Sequence, residues 1–332
     1  MQIFNISLSI IFFNFFLLLI LHPLSKAIGL IDLPDKRKTH KINAKLIGGL
    51  ILVANFFFLY LFFDLNKNLN TLLIYSVFIC LIGLIDDKYM LKPTLKLILL
   101  FFPIILMFHE GFFLVDLGNY NIIGQVKLGS LSFIFTILSA ILLINATNYI
   151  DGKDGLLITM FFLINLKLLY LINNSEDNSK YIFVYINLTL LILLFFNLTN
   201  IKTLKIFLGN SGSLTIGFFI SFILIYFAKN NLVHPILLAS TITVIIFDFF
   251  CVSLERFLKK KGNIFKADNW HIHHLIYKKT KSNLKTLVII NFINTLFFLI
   301  NLNIYKIYDL LALMFFILEF FIFFTVRKIL IK

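Results

Sequence analysis

A polar cluster lies between two long apolar runs, at the point where a membrane helix is expected to end. It reads Asn145-Ala-Thr-Asn-Tyr-Ile-Asp-Gly-Lys-Asp-Gly-Leu156 and supplies the carboxylates Asp151 and Asp154 and the carboxamides Asn145 and Asn148. An ionisable group costs about 2.5–3.5 kcal/mol at the centre of a membrane helix, so such a cluster persists where it is solvated, paired or bound to a ligand. If the helix continues, the four side chains lie along one face. That face predicts a nucleotide or metal site, with a polar seam between helices as the alternative.

Four further polar clusters interrupt the apolar sequence. They are 32–49 with Arg37, Lys38 and His40, the pair Asp86-Asp87, 207–213 with Asn210 and Ser211, and 255–274 with Arg256, His271, His273 and His274. The adjacent carboxylates suit Mg²⁺, which takes few protein carboxylates and completes its shell with water and phosphate. The Gly-Asn-Ser-Gly-Ser stretch is typical of a helix N-terminus, whose free N–H groups favour anions. Taken singly, each cluster also fits a solvated loop with ordinary helix caps.

The histidines of the last cluster have the spacing H-x-H-H. Zinc sites on helices use His pairs four residues apart, and no Cys lies nearby, so the spacing argues against zinc. Contact with phosphate or sugar is the favoured interpretation, and a run of surface histidines is the alternative.

The rest of the chain is strongly apolar. Of 332 residues, 60% are hydrophobic and 14% charged, 42 are Phe, and the mean hydropathy is +0.96. These values exclude a soluble globular protein and predict an all-α, polytopic integral membrane protein with about eleven transmembrane helices. The predicted spans are 3–24, 48–65, 71–85, 95–109, 130–146, 156–173, 181–198, 214–228, 234–253, 285–303 and 308–326. Cys80 and Cys251 lie in apolar segments and predict neither a disulfide nor a metal pair.

The cationic residues predict the topology. Lys and Arg in alternate connections number 22 on one side and 5 on the other, which places the N-terminus outside and the C-terminus inside. The net charge of +14 therefore indicates a membrane protein rather than a nucleic-acid partner. All five polar clusters then lie on the inner side. No repeat or linker divides the sequence, so we expect a single transmembrane domain over residues 1–332.

The order and spacing of these clusters resemble a known family. Asp86-Asp87, Asn145–Leu156, Phe207-Leu-Gly-Asn-Ser-Gly-Ser and His271-Ile-His-His are similar to the motifs of the polyprenyl-phosphate N-acetylhexosamine-1-phosphate transferases, glycosyltransferase family 4. The resemblance runs from Asp32 to His274. The H-x-H-H form is closer to the undecaprenyl-phosphate N-acetylglucosamine-1-phosphate transferase branch than to the pentapeptide-transferase branch, which usually carries three consecutive His. Eleven spans suit the same branch.

The resemblance implies a transferase that moves a sugar-1-phosphate from a UDP-N-acetylhexosamine to undecaprenyl phosphate and releases UMP. GlcNAc-1-phosphate is the leading candidate for the transferred group. It implies Mg²⁺ as cofactor, with Mn²⁺ as a second option. The expected location is the bacterial cytoplasmic (inner) membrane, with the active site facing the cytoplasm. There the enzyme would catalyse the first membrane step of cell-envelope polysaccharide synthesis, such as lipopolysaccharide synthesis. The expected surroundings are membrane lipid, and nucleic acid is not an expected partner. The sequence does not decide whether the protein forms a homodimer.

The resemblance also assigns roles to residues. Asp86 orients or deprotonates the acceptor phosphate, and Asn145 and Asn148 hold the nucleotide. The catalytic set is Asp86, Asp87, Asp151 and Asp154; the metal set is Asp87, Asp151, Asp154 and Asn210; and the substrate-binding set is Arg37, Lys38, His40, Asn145, Asn148, Ser211, Arg256, His271, His273 and His274.

One position departs from the family pattern. The fourth cluster of the family normally reads Gly-Asp-x-Gly-Ser, and its Asp is a magnesium ligand, whereas this chain has Asn210. An amide oxygen still coordinates Mg²⁺ but carries no charge, so metal affinity should fall unless another acidic group compensates. An inactive relative that binds lipid phosphate or nucleotide is therefore an alternative, as is the pentapeptide-transferase reaction. A transporter is disfavoured, because transporters place ionisable residues near the midplane in repeated architectures.

Overall fold

The structure, a computed structural model, describes residues 2–32, 43–173, 179–258 and 270–331. The described chain is mostly helical. Its α-helices are α1 (Gln2–Ala27), α2 (Gly48–Phe62), α3 (Lys67–Tyr89), α4 (Pro93–His109), α5 (Ser132–Ile150), α6 (Leu156–Leu171), α7 (Ser179–Leu198), α8 (Gly209–Lys229), α9 (Pro235–Thr241), α10 (Thr243–Leu258), α11 (Ile272–Thr280), α12 (Asn283–Ile307) and α13 (Asp309–Ile331). Two short strand pairs are antiparallel: β1 (Ile31–Asp32) pairs with β2 (Ala44–Lys45), and β3 (Asp116–Tyr120) pairs with β4 (Gly124–Lys127).

Apolar helices of membrane-spanning length dominate the described residues. Seven of them are long and apolar enough to cross a membrane, and α9 with α10 makes an eighth if the bent pair is one span. Three shorter apolar helices, α2, α4 and α6, accompany them. Each predicted span overlaps a helix or the bent pair. The all-α, polytopic membrane class predicted from the sequence is confirmed.

Helix α8 is the centre of the helix bundle. Almost every side chain from Ser211 to Phe227 is buried, because the helix is apolar all round and other helices surround it. It packs most closely against α3 and α5. Small residues permit that approach: a Cβ added to Gly83 of α3 would collide with the backbone of Ser211. This packing brings the ends of α3 and α5 to the beginning of α8, where three of the polar clusters lie.

The ninth predicted span is broken. Helices α9 and α10 meet at Ile242 with a bend of 77°, which removes helical partners from the backbone at the break. Polar side chains of α6 and α12 replace those partners. Lys167 Nζ and Asn294 Nδ2 donate to the carbonyl of Thr241 at 3.4 and 3.0 Å, and Asn294 Oδ1 accepts from Val244 N at 3.2 Å. Two polar residues inside apolar helices are thereby explained, since unpaired backbone is costly in a membrane.

Candidate active site

A polar cavity of about 380 Å³ opens where α3, α5 and α8 meet. Its lining includes seven of the residues predicted from the sequence: Asp86, Asp87, Asn148, Asp151, Asp154, Asn210 and His274. They come from four separate sequence clusters, so the tertiary structure joins what the sequence analysis had grouped only by topology. Residues 33–42, which include the predicted Arg37, Lys38 and His40, lie outside the described residues.

The last turn of α3 places Asp87 at the beginning of α8. Its Oδ1 accepts from Asn210 N at 2.7 Å, and its Oδ2 accepts from Ser211 N at 3.1 Å. Gly209 starts α8 with φ +71, and a Cβ there would lie 2.5 Å from Asp87 Oδ2. The predicted helix N-terminus is therefore present, and the anion at its free N–H groups is the carboxylate of Asp87. Ser211 takes part through its backbone, while its buried hydroxyl donates to Leu208 O within the same turn.

Asp86 belongs to a different set of contacts. Lys96 Nζ of α4 donates to its Oδ2 at 2.8 Å, and Leu91 N donates to its Oδ1 at 2.9 Å. Lys96 also reaches Asn148 Oδ1 at 3.3 Å. The Asp86 carboxylate is consequently neutralised and held in one orientation at the cavity wall.

Asn148 links α5 to α8. Its Nδ2 donates to Asn210 Oδ1 at 2.8 Å and to Ser213 Oγ at 2.7 Å. Asn145, one turn earlier on α5, does not line the cavity: its Nδ2 donates to Ile141 O at 2.8 Å. The amide pair predicted to hold a nucleotide is therefore split, with Asn148 in the cavity wall and Asn145 within the bundle.

Helix α5 ends at Ile150, so the face expected to run from Asn145 to Asp154 is interrupted. Asp151 and Asp154 lie in the five-residue connection to α6. Lys205 Nζ donates to Asp154 Oδ2 at 2.6 Å. Burial, reinforced by the negative charges of Asp154 and Asp87, raises the pKa of Asp151 to about 7. The helix does not continue through this segment, so the condition for one common face is not met, but the turn still brings both carboxylates to the cavity.

The histidine cluster forms the beginning of α11. His271 is buried, and its Nδ1 lies 2.8 Å from Asp248 Oδ2 of α10. Asp248 Oδ1 accepts from Ile272 N at 2.8 Å, so one carboxylate both caps α11 and orients His271. His271 therefore does not contact the cavity, and the prediction that it binds substrate directly finds no geometric support.

The other two histidines differ in exposure. His273 is fully buried, packs against Gly152, and makes no hydrogen bond within the described structure. Burial, with His274, His271 and Lys153 adding to its effect, lowers the pKa of His273 well below its usual value, so the ring is neutral at pH 7. His274 lies beside it with ring centroids 4.0 Å apart and lines the cavity. Of the three histidines, His274 is the one placed to meet a ligand.

The predicted contact Arg256 falls away from the cavity: it lies near the end of α10 and is not among the lining residues. The sequence analysis also missed several residues. Lys96, Lys205 and Asp248 are partners of Asp86, Asp154 and His271, and the ion pair of Glu255 and Arg327 lies beside Asp248. Asp248 carried a signal, because a carboxylate inside an apolar run is a functional candidate by its cost alone. Lys205 and Arg327 gave no such signal, because the sequence analysis had already interpreted them as cationic residues that set the membrane topology.

Known proteins are similar to this chain along most of its length. A family model described as glycosyl transferase family 4 matches residues 69–228, which span α3 to α8 and hence Asp86, Asp151 and Asn210. The undecaprenyl-phosphate alpha-N-acetylglucosaminyl 1-phosphate transferase of Pasteurella multocida is 32% identical over 86% of this chain and 82% of its own length. The proteins of the same name from Haemophilus influenzae and Escherichia coli K12 are 30% and 26% identical over 87% and 85% of the chain, and 83% and 78% of their own.

The chain belongs to glycosyl transferase family 4. The resemblance read from its motifs is thereby confirmed, as is its character as a transferase. The match from residue 69 onward includes the two carboxylates of α3 and ends with α8, so it covers the side of the cavity built by α3, α5 and α8. Helices α11 and α13 lie beyond the matched range. Helix α11 contributes His274 to the cavity, and Arg327 of α13 supports Asp248 and Glu255 behind it.

The donor groups of the cavity fit a hard divalent cation. Among the four predicted catalytic carboxylates, Asp151 alone makes no hydrogen bond or ion pair with a described residue, and it lies near Asp87 and Asp154. In the described part of the chain no three His, Cys, Asp or Glu side chains converge as a ready-made metal cage. Mg²⁺ is usually held by one or two carboxylates, with water and substrate phosphates as its other ligands. Asp151, together with an oxygen of Asp87 or Asn210, is therefore a suitable set of protein ligands.

Proposed function

We propose that this chain transfers N-acetylglucosamine-1-phosphate from a UDP-sugar to undecaprenyl phosphate and releases UMP. The observation that carries the proposal is the polar cavity itself, in which the acidic and amide motifs of α3, α5 and α8 meet. The relatives named above supply the acceptor and the sugar through their own names. The UDP donor, and with it the release of UMP, is what the resemblance of the motifs to the family implies.

The chemistry requires little covalent help from the protein. A phosphate monoester has a second pKa of about 6, so the acceptor is largely dianionic at neutral pH and is already a nucleophile. The obstacle is bringing an anion against an anionic diphosphate, and the enzyme must neutralise charge and hold the reacting oxygens in line. Asp86, fixed by Lys96 and Leu91 N, would orient the acceptor phosphate. Asn148 would contact the nucleotide and His274 a phosphate, since both line the cavity.

Mg²⁺ is part of the proposal as the cofactor. Asp151 and Asp87 would hold it, with Asn210 and Asp154 as further ligands directly or through water, and the bound cation supplies charge neutralisation on the diphosphate. Asp87 has a second task in this chain, because its carboxylate also fixes the first amides of α8. Asn210 Oδ1 already accepts from Asn148 Nδ2, and a carbonyl oxygen has a second lone pair for a cation.

An apolar groove along α5 suits the isoprenoid chain of the acceptor. The groove, about 620 Å³, is lined mainly by side chains of α5, α8, α9 and α10. Helix α5 contributes Leu138 and Leu143 to the groove and Asn148 to the cavity, so the same helix lines both. A lipid tail in the groove would present its phosphate at the cavity, which supports a membrane-embedded acceptor.

The topology forms a second part of the proposal. The seven long helices, the bent pair and the three shorter apolar helices would each cross the bilayer once, which gives eleven crossings. The distribution of Lys and Arg then puts the N-terminus outside and the cavity on the cytoplasmic side of a bacterial inner membrane. A single domain over 1–332 accords with the central position of α8.

The test is UMP release by the purified full-length protein with undecaprenyl phosphate and Mg²⁺. We expect turnover with UDP-N-acetylglucosamine, and no release above background for Asp86→Ala or Asp87→Ala. Asp87→Asn is the matched variant, because its amide oxygen still accepts one of the two α8 N–H groups while the charge is gone. A folded but inactive Asp87→Asn protein separates the chemical role from the helix cap.

Two outcomes would contradict the proposal. Full activity in both alanine variants would remove these carboxylates from the chemistry. A wild-type protein that binds UDP and undecaprenyl phosphate without releasing UMP would favour the inactive relative, for which Asn210 in place of a carboxylate is the specific observation. Turnover with a UDP-muramoyl-pentapeptide in place of UDP-N-acetylglucosamine would assign the pentapeptide-transferase reaction.

A further inference from the structure

We propose that Lys153 binds the diphosphate of the nucleotide-sugar donor and that Tyr277 holds its side chain in the cavity for that purpose. The inference rests on the proposed function and extends it to a residue for which the motif analysis gave only a topological meaning. Lys153 stands between the two carboxylates of the α5–α6 connection, in the sequence Asp151-Gly-Lys-Asp154.

The side chain of Lys153 is buried and directed to the site. It is 6% exposed and lines the polar cavity together with Asp151, Asn210 and His274. Its Nζ lies 3.5 Å from the ring centroid of Tyr277 in α11. Tyr277 follows His273 by four residues and His274 by three, so all three lie on one side of α11. The same helix face that presents His274 to the cavity therefore positions the lysine.

Lys153 differs from the other lysines around the site in its partners. Lys96 is paired with Asp86 at 2.8 Å, and Lys205 with Asp154 at 2.6 Å. Within the described residues, the ammonium of Lys153 makes no hydrogen bond or ion pair and rests on the aromatic face of Tyr277. An ammonium over an aromatic ring is oriented by the ring while its remaining N–H groups stay available to an acceptor.

The balance of charge in the cavity points to an anionic ligand for this ammonium. Asp86 and Asp154 are neutralised by lysines, and the amides of α8 solvate Asp87. A divalent cation would neutralise the charges of Asp87 and Asp151. Asp32 and Lys153 are the other charged residues of the lining, and the Lys153 ammonium makes no ion pair with a described residue. A buried charge is costly unless it is paired, and a donor diphosphate supplies the missing partner in every catalytic cycle.

The donor is favoured over the acceptor by position. Lys153 lies on the loop between the proposed metal ligands, whereas the acceptor phosphate would arrive along α5 beside Asp86 and Lys96. Lysine binds phosphate as a compact point charge, so its loss should weaken diphosphate recognition and leave recognition of the uridine largely intact.

The experiment compares Lys153→Met with wild type in the full-length purified protein. Methionine retains an unbranched stem over Tyr277 and removes the charge. We expect the donor KM to rise about 10- to 100-fold, the loss corresponding to one charge-assisted hydrogen bond, while the KM for undecaprenyl phosphate changes less than about 2-fold. Lys153→Arg should recover most of the loss. The matched control is Lys328→Met, an exposed lysine 4.4 Å from the ring centroid of Phe324, which should leave both KM values unchanged.

Binding of UDP and of uridine, each with Mg²⁺, separates this inference from the proposed function. We expect Lys153→Met to weaken UDP binding and not uridine binding. If wild type releases UMP but the variant keeps its donor KM and UDP affinity, Lys153 is only a contact between the loop and α11. An equal loss for UDP and uridine, or a loss confined to the acceptor, also overturns the inference. If wild type shows no turnover, the proposed function fails, and the UDP–uridine comparison still decides the role of Lys153.

A second pair of variants keeps the test informative if Lys153→Met does not fold. Tyr277→Phe preserves the aromatic face and should keep the donor KM near that of wild type. Tyr277→Leu removes the face while leaving the lysine, and should raise the donor KM by about 3- to 10-fold. Equal donor KM values for the two tyrosine variants would refute the positioning role of the ring.

Discussion

Replacing Arg327 with Met should destabilise the protein strongly, although the residue lies in the last turns of the chain. Arg327 is fully buried in α13. Its Nη1 lies 2.5 Å from Glu255 Oε1, its Nε lies 3.8 Å from Asp248 Oδ1, and its Nη2 donates to Trp270 O at 2.6 Å. The guanidinium therefore joins α13 to α10 and to the residue just before the histidine helix.

The magnitude follows from the burial of its partners. Glu255 and Asp248 are 4% and 2% exposed, so removal of the arginine leaves carboxylates that water cannot solvate. Breaking a buried ion pair from one side costs about 3–5 kcal/mol, because one charge stays uncompensated. Replacing both members with apolar side chains is often neutral, so Arg327→Met with Glu255→Met should regain at least about 2 kcal/mol.

The assay is thermal unfolding in detergent, followed by UMP release on the same samples. We expect Arg327→Met to lower the melting temperature by at least about 6 °C and to reduce activity, because Asp248 holds the beginning of α11 and hence the position of His274. Lys328→Met, one residue further along α13 and exposed, is the control and should change stability by less than about 0.5 kcal/mol.

The reasoning is refuted if Arg327→Met unfolds within about 1 °C of wild type, since the buried carboxylates would then not depend on the arginine. It is also refuted if the double variant is no more stable than the single one. In that case the cost would come from packing around α13 rather than from an unpaired Glu255.

Two further substitutions test the walls of the cavity. Asn210→Asp adds a negative charge beside Asn148 and Asp87, so half-maximal UMP release should require less Mg²⁺; an unchanged Mg²⁺ titration would show that position 210 is not a ligand. Gly152→Ala places a methyl group against the buried ring of His273 and should cost about 1–3 kcal/mol of stability together with a loss of turnover, and a wild-type melting temperature with wild-type activity would contradict the tight packing.

Much of the architecture was predictable because membrane helices have a strong local signal. Every backbone group in a bilayer must be paired within its own segment, so a long apolar run predicts a helix without knowledge of its neighbours. The beginning of α8 at Gly209 was predictable for a similar reason, since Gly, Asn and Ser before an apolar run mark a helix start. Even the break at Ile242 leaves α9 and α10 as local helices, and only their 77° bend needed the surrounding α6 and α12.

The sequence by itself determined the family, the helical membrane class and the members of the acidic and amide clusters. The tertiary structure decided which of those groups meet and what each one binds. Asn145 and His271 carry the right chemistry at the right spacing but turn into the bundle, whereas Lys153 and Arg327 looked like ordinary topology charges and lie buried near or behind the site. The physical reason is that an ion pair depends on the distance between helix ends, and that distance is set by packing around α8 rather than by any local pattern.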